Sequence, residues 1–349
     1  MALYTMKNKN IRRESIFDLL RISACLMIVA MHAPLTGSES DGLFLSSLSY
    51  LTASGIGLFF MVSGALLLPV TENTKKFIKK RFTKIAIPTL VWTFFYLCCN
   101  VWLKNEPLTL RPLLSIPFSA QGNPVLWFIY TLLGLYLLAP ILSRWLAVVG
   151  RKELEFYLCL WIICLCYQLF AKIADVNTST TGILYYFSGY LGYFVLGYYC
   201  RTYPDRLSFR WLLPAMIIAI AIPVACKLLY MEVDFYSMFW YLSIFVAVQC
   251  VFWWKVIEHF SNKWMNGKES PVIAEISKLT FGIYLVHIFI MRYLLWKWDF
   301  ILGIHPYWFQ TTVIIILTFT GSLAVSYAIS LLPFSKYLIG YDKNYKTNK

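Results

Sequence analysis

About ten apolar runs, each long enough for a helix to cross a bilayer, divide this chain from end to end: 15–33, 45–70, 85–103, 124–143, 154–171, 183–200, 211–230, 237–255, 277–296 and 308–332. A helical crossing needs about 20 mainly apolar residues. Of the 349 residues, 59% are hydrophobic and 14% are charged, and 18% are aromatic. A soluble chain carries about 25% charged residues. A water-facing fold cannot hide that much apolar surface, whereas lipid covers it. The expected fold is all-α: a polytopic membrane bundle of about ten transmembrane helices, forming one domain over 1–349 with no folded soluble part. The first run has no small-residue cleavage site before the second, so it reads as a retained anchor.

The net charge is +14. In a soluble protein that balance suggests nucleic acid. Here the bases lie between apolar runs, so topology and anionic head groups account for them and no nucleic-acid partner is expected. With the N-terminus inside, most bases fall on inner segments, including Arg12, Arg13, Lys75 to Lys84, Arg151, Arg206, Arg210 and Lys255. The outer segments and helix ends hold Lys104, Arg111, Lys172, Lys227, Arg292 and Lys297. The bias alternates through every crossing, which predicts both termini inside, with 1–14 and 336–349 as cytoplasmic tails. The outer loop 34–44 carries Glu39 and Asp41 and no base. The outer segment 104–123, with Pro107, Pro112, Pro117 and Gly122, can dip back only where protein covers it. The nine cysteines show no zinc or disulfide spacing and read as small buried hydrophobes. No metal set and no glycine-rich phosphate loop stands out.

Ionisable groups in a membrane helix are expensive and need a reason. The first run holds three: Asp18, Arg21 and His32. Eleven residues are about three turns, so Arg21 and His32 share a face roughly 16 Å apart along the axis. Asp18 is three residues before Arg21, within pairing reach, and Cys25 continues the stripe. The bland alternatives are a snorkelling Arg21 and an interfacial His32 beside Pro34. Together and in register on an apolar helix, they favour chemistry. An imidazole suits proton transfer near neutral pH. A guanidinium binds phosphate or steadies developing negative charge.

Arginine, ten residues, then histidine in the first helix resembles the signature of the membrane-bound acyltransferase 3 family. Five further segments are similar to that family in order: Phe59-Phe-Met-Val-Ser-Gly64, Lys79-Lys-Arg-Phe-Thr-Lys-Ile-Ala-Ile-Pro88, Leu126-Trp-Phe128 with its helix to Pro140, Tyr190-Leu-Gly-Tyr-Phe-Val-Leu-Gly197, and Phe281-Gly-Ile-Tyr-Leu-Val-His287. The resemblance implies a bacterial inner-membrane O-acetyltransferase, multi-pass, with acetyl-CoA as donor and no metal. The acceptor it implies is a hydroxyl of a cell-surface polysaccharide or of its lipid-linked precursor. The size resembles stand-alone members without an appended hydrolase-like domain.

On that reading His32 is the general base and Arg21 supports donor or charge. Arg81 and Lys84, which match the family segment, would meet the coenzyme A phosphates, although the cluster Lys79, Lys80, Arg81 and Lys84 also serves as a topology signal. Ser63 with Gly64 is either close helix packing or a polar wall. Trp127 and Tyr130 are either interfacial belt residues or the walls of an acceptor groove. Tyr284 and His287 share a helix face, giving a buried pair or a second functional histidine. His259 reads as solvated beside Glu258, and His305 has no evident partner. The rival readings are a transporter or flippase of lipid-linked saccharides, separable by whether thioester is consumed, and a structural membrane partner indifferent to Arg21 and His32.

Overall fold

A computed structural model of the chain describes residues 15–35, 42–104, 107, 110–120, 123–173, 187, 189–229, 238–265 and 270–343. The tails 1–14 and 344–349, the loop bearing Glu39 and Asp41, part of 104–123 and most of 174–188 lie outside the described residues. The main helices are α1 (Ser15–His32), α2 (Gly42–Thr52), α3 (Ser54–Leu67), α4 (Thr74–Lys104), α5 (Trp127–Leu146) and α6 (Arg151–Ile173). They continue with α7 (Leu191–Thr202), α8 (Phe209–Leu228), α9 (Ile244–Phe260), α10 (Pro271–Ile288), α11 (Tyr307–Ser330) and the short α12 (Ser335–Ile339). Among the described residues there is no strand.

Eight helical stretches are long and apolar enough to cross a membrane. Of the ten expected crossings, the two not among these are α6, whose last turn has side chains outside the described set, and α7, whose run begins outside it. The second run is interrupted at Ala53, which separates α2 from α3. The third run starts earlier than its apolar boundary at 85. The basic stretch before it continues the same helix from Thr74, because lysine and arginine are good helix formers. Serines start several helices. Ser243 accepts from Val246 N at 3.3 Å, and Ser270 caps α10 just before Pro271.

Helix α3 runs through the middle of the bundle against α1, α7 and α9. Its crossing with α7 depends on two glycines. A Cβ on Gly64 would lie 1.7 Å from the Phe194 carbonyl oxygen, and one on Gly197 would lie 1.8 Å from that of Met61. Only bare backbone fits there, and close backbone approach is how membrane helices gain packing without a hydrophobic drive. Gly282 of α10 meets Ser326 of α11 in the same manner, along a buried row of Ser322, Ser326 and Ser330.

The ends that the charge pattern assigns to one side meet at one end of the bundle. Ser15 at the start of α1 hydrogen-bonds Ser261 after α9 at 3.1 Å, and Lys343 N donates to Ser330 O at 3.1 Å. At the other end, the Tyr307 hydroxyl donates to the carbonyl of Leu35. The first is called the basic end below.

Candidate active site

Helices α1 and α10 run side by side, and the polar stripe of α1 faces α10. Cys25 Sγ contacts the Thr280 carbonyl at 3.7 Å. One end of this seam opens into a cavity of about 430 Å³. Arg21 reaches it from α1, Ser63 from α3, Arg81 and Lys84 from α4, and Ser277 and Lys278 from the first turns of α10. Arg81 and Lys84 are three apart on a helix, so they share a face. Exposed Lys79 and Lys80 do not line the cavity, and Lys80 pairs with Glu72 at 3.7 Å.

No carboxylate is among the described lining residues. Lys278 pairs with Glu275, one turn away on the same helix, at 3.1 Å. Two buried donors at the wall, Arg81 Nε and Ser277 Oγ, find no hydrogen-bond partner. Buried polar groups are nearly always satisfied, so such orphans call for a ligand. A guanidinium and an ammonium around a closed space suit an anion with several oxygens, phosphate above all. Asp18 lies one turn before Arg21 and is buried at 4% exposure.

The far end of the cavity is walled by Phe128, Thr280 and Tyr284. From Tyr284 a row of rings continues along the seam. Tyr284 and His287 have centroids 5.5 Å apart, and His287 and His32 have centroids 5.8 Å apart. His287 is fully buried. Its Nδ1 lies 2.6 Å from the Tyr284 carbonyl oxygen, which can only accept, so Nδ1 carries the proton in the neutral ring. That leaves Nε2 as the basic nitrogen, buried and without a partner. His32 is the last residue of α1. It is partly exposed and does not line the cavity.

The turn that carries His287 has a local cause. The Tyr96 hydroxyl donates to Leu285 O at 2.7 Å and accepts from Phe289 N at 3.1 Å. It thus inserts between the two groups that an α-helix would join directly. The helix passes into a π turn over Phe289–Leu294, the expected response to a side chain inserted in the ladder.

The other sequence candidates divide. Ser63 lines the cavity while Gly64 makes the α7 crossing, so each of the two readings holds for a different residue. Trp127 and Tyr130 stand off the cavity. Trp127 packs on Tyr190 and Tyr241 at 5.1 and 5.5 Å, and Tyr241 in turn reaches the sulfur of Met31, next to His32. Tyr130 donates to Ile116 O at 2.7 Å. His259 and His305 are exposed and far along the chain from these residues. Sequence reading missed Ser277, Lys278, Thr280, Tyr136 and the segment Ile339 to Tyr341, all of which line the cavity. Lys278 at the head of an apolar helix was the one visible signal among them.

A family model for an acyltransferase domain matches residues 14–331. The chain belongs to the acyltransferase 3 family. Comparison with curated proteins and with solved structures gives no match. This acyltransferase therefore has the cations of its cavity and its histidine pair within the matched region, while the short α12 and the residues after it, three of which line the cavity, lie beyond.

Proposed function

We propose that this acyltransferase is an O-acetyltransferase of the bacterial inner membrane. It takes acetyl from cytoplasmic acetyl-CoA and transfers it to a hydroxyl of a cell-surface polysaccharide or its lipid-linked precursor. The observation that carries this reading is the cavity itself. Arg21, Arg81 and Lys84 gather at the basic end, two of the lining residues carry buried donors without a partner, and a row of rings leads from it to His287 and His32. The basic end is then the cytoplasmic face, where positive charge belongs.

The donor supplies an activated acyl group as a thioester. Arg21, Arg81 and Lys84 hold its phosphates by charge-assisted hydrogen bonds. Tyr284 and Phe128 close the inner end and keep water from the thioester. At the opposite end, Trp127, Tyr190 and Tyr241 offer ring faces beside His32 on which a sugar can stack. His32 takes the proton of the acceptor hydroxyl as its oxygen attacks the thioester carbonyl. The carbon–sulfur bond breaks, and the sulfur leaves as the thiolate of coenzyme A, which recovers a proton. His287, with Nε2 free to accept, orients His32 and shares its proton.

The test is turnover by purified protein in vesicles with acetyl-CoA and lipid-linked glycans. Release of free coenzyme A thiol in step with acetylated glycan supports the reading. Movement of the glycan across the membrane with no thiol released would replace it with transport.

A further inference from the structure

The last described residues do more than end the chain. After α11 the backbone turns back through α12 and crosses the mouth of the cavity, where Ile339, Gly340 and Tyr341 complete its wall. This strap is fastened at several points. Trp92 Nε1 donates to Leu338 O at 2.9 Å. The Tyr341 hydroxyl donates to Glu275 at 2.9 Å, and the Lys343 ammonium donates to the Tyr327 hydroxyl at 2.6 Å.

Gly340 explains how the strap comes so close. Its φ is +67°, and a Cβ there would lie 2.6 Å from the Lys84 carbonyl oxygen and 3.1 Å from the Phe281 ring. Only glycine takes that conformation against that surface at no steric cost. Pro88, four residues on from Lys84, has no N–H to offer that carbonyl, which leaves α4 open at the point of approach.

We propose that the strap is the nucleotide-binding wall of the donor site, with Tyr341 contacting an adenine base; this rests on the cavity being the donor site. Tyr341 and Phe281 bring two aromatic rings to the mouth of a cavity whose other walls carry Arg21, Arg81 and Lys84. Rings beside cations match a ligand that joins a heteroaromatic base to phosphates. Glu275 is a nearby acid that would repel such a ligand. Its two oxygens are taken up by Tyr341 and Lys278, so the strap also masks its charge. The thioester end then runs inward along α10 from Ser277 to Tyr284, about 10 Å of helix. Because 338–343 lies past the family-matched residues, the base-binding wall is supplied by a segment outside the matched domain.

The experiment compares binding of coenzyme A with binding of 4′-phosphopantetheine, which has the same arm without the adenine nucleotide. It uses the full chain in neutral detergent, by calorimetry. The wild type binds coenzyme A more tightly. Tyr341→Ala weakens coenzyme A about tenfold, the loss expected when one base loses its aromatic partner, and leaves phosphopantetheine unchanged. Tyr341→Phe keeps the ring but loses the bond to Glu275, and so weakens coenzyme A less than Tyr341→Ala does. Thermal unfolding confirms that each variant is folded. If Tyr341→Ala weakens both ligands equally, or neither, the strap is structural and the proposal is overturned while the donor site stands. If the wild type binds neither ligand, the donor-site reading falls and takes this one with it. If coenzyme A is indifferent to Tyr341→Ala but binding of phosphatidylglycerol vesicles is lost, the wall belongs to a lipid headgroup and the proposal is likewise overturned.

Discussion

The imidazoles of His32 and His287 lie with centroids 5.8 Å apart and planes tilted by 36°, although one closes the first helix and the other sits in α10. The His287 Nδ1–H donates to the Tyr284 carbonyl oxygen, and Nε2 is buried without a partner. A lone His32 at a helix mouth would be a weak and badly oriented base. A buried partner fixes its position and gives the proton somewhere to go.

His287→Gln removes the basic nitrogen while keeping a polar group of similar reach. Turnover falls about hundredfold, the scale of one acid–base contribution, with little change in donor affinity. His32→Ala falls at least as far, and the double variant is no worse than the poorer single one, since the two act as a unit. Steady-state kinetics on the three folded variants check this. Independent, multiplying losses would separate the two rings.

Arg81→Gln tests the guanidinium whose Nε has no partner. A charge-assisted hydrogen bond contributes about 1.5–3 kcal/mol, so the donor binds roughly ten- to hundredfold more weakly. Lys80→Gln, which removes an exposed charge paired only with Glu72, changes donor binding less than about twofold. Isothermal titration with coenzyme A reads both.

Tyr96→Phe leaves Leu285 O and Phe289 N without the hydroxyl that joins them. The buried Leu285 O loses its side-chain donor, at about 1–3 kcal/mol, while Phe289 N keeps its bond to Val286 O. Some of this is recovered if the turn relaxes to a regular α-helix, which rotates His287 away from His32. The variant is therefore less thermostable and less active together, as thermal unfolding and turnover would show.

Gly64→Ala places a Cβ 1.7 Å from the Phe194 carbonyl oxygen, backbone against backbone. Overpacking of this kind destabilises by about 1–3 kcal/mol or more, because neither helix can yield alone. Gly134→Ala, inside α5 where nothing lies within 4 Å, does not lower the melting temperature.

The membrane fold was legible because lipid demands long unbroken apolar runs and tolerates few charges in them. For the same reason Arg21 stood out, whereas Arg81 and Lys84 are legible through a basic segment that resembles the family's; the structure places all three on one cavity. The start of α4 was misplaced because hydropathy marks where lipid begins, whereas lysine-rich sequence continues a helix without it. Trp127 and Tyr130 drew notice as aromatics, but their ring contacts and hydrogen bonds lie away from the cavity. Ser277 and Tyr341 could not be read at all. A serine in an apolar helix and a tyrosine in a polar terminus become neighbours only because Gly340 lets the strap lie on α4.

The most direct measurement is an experimental structure of the full chain with coenzyme A bound. The account predicts phosphates between Arg21, Arg81 and Lys84, and the thiol at the Tyr284 end, on the side of His287 and His32. Density for coenzyme A elsewhere on the protein, or with its thiol turned outward from the bundle, would contradict it.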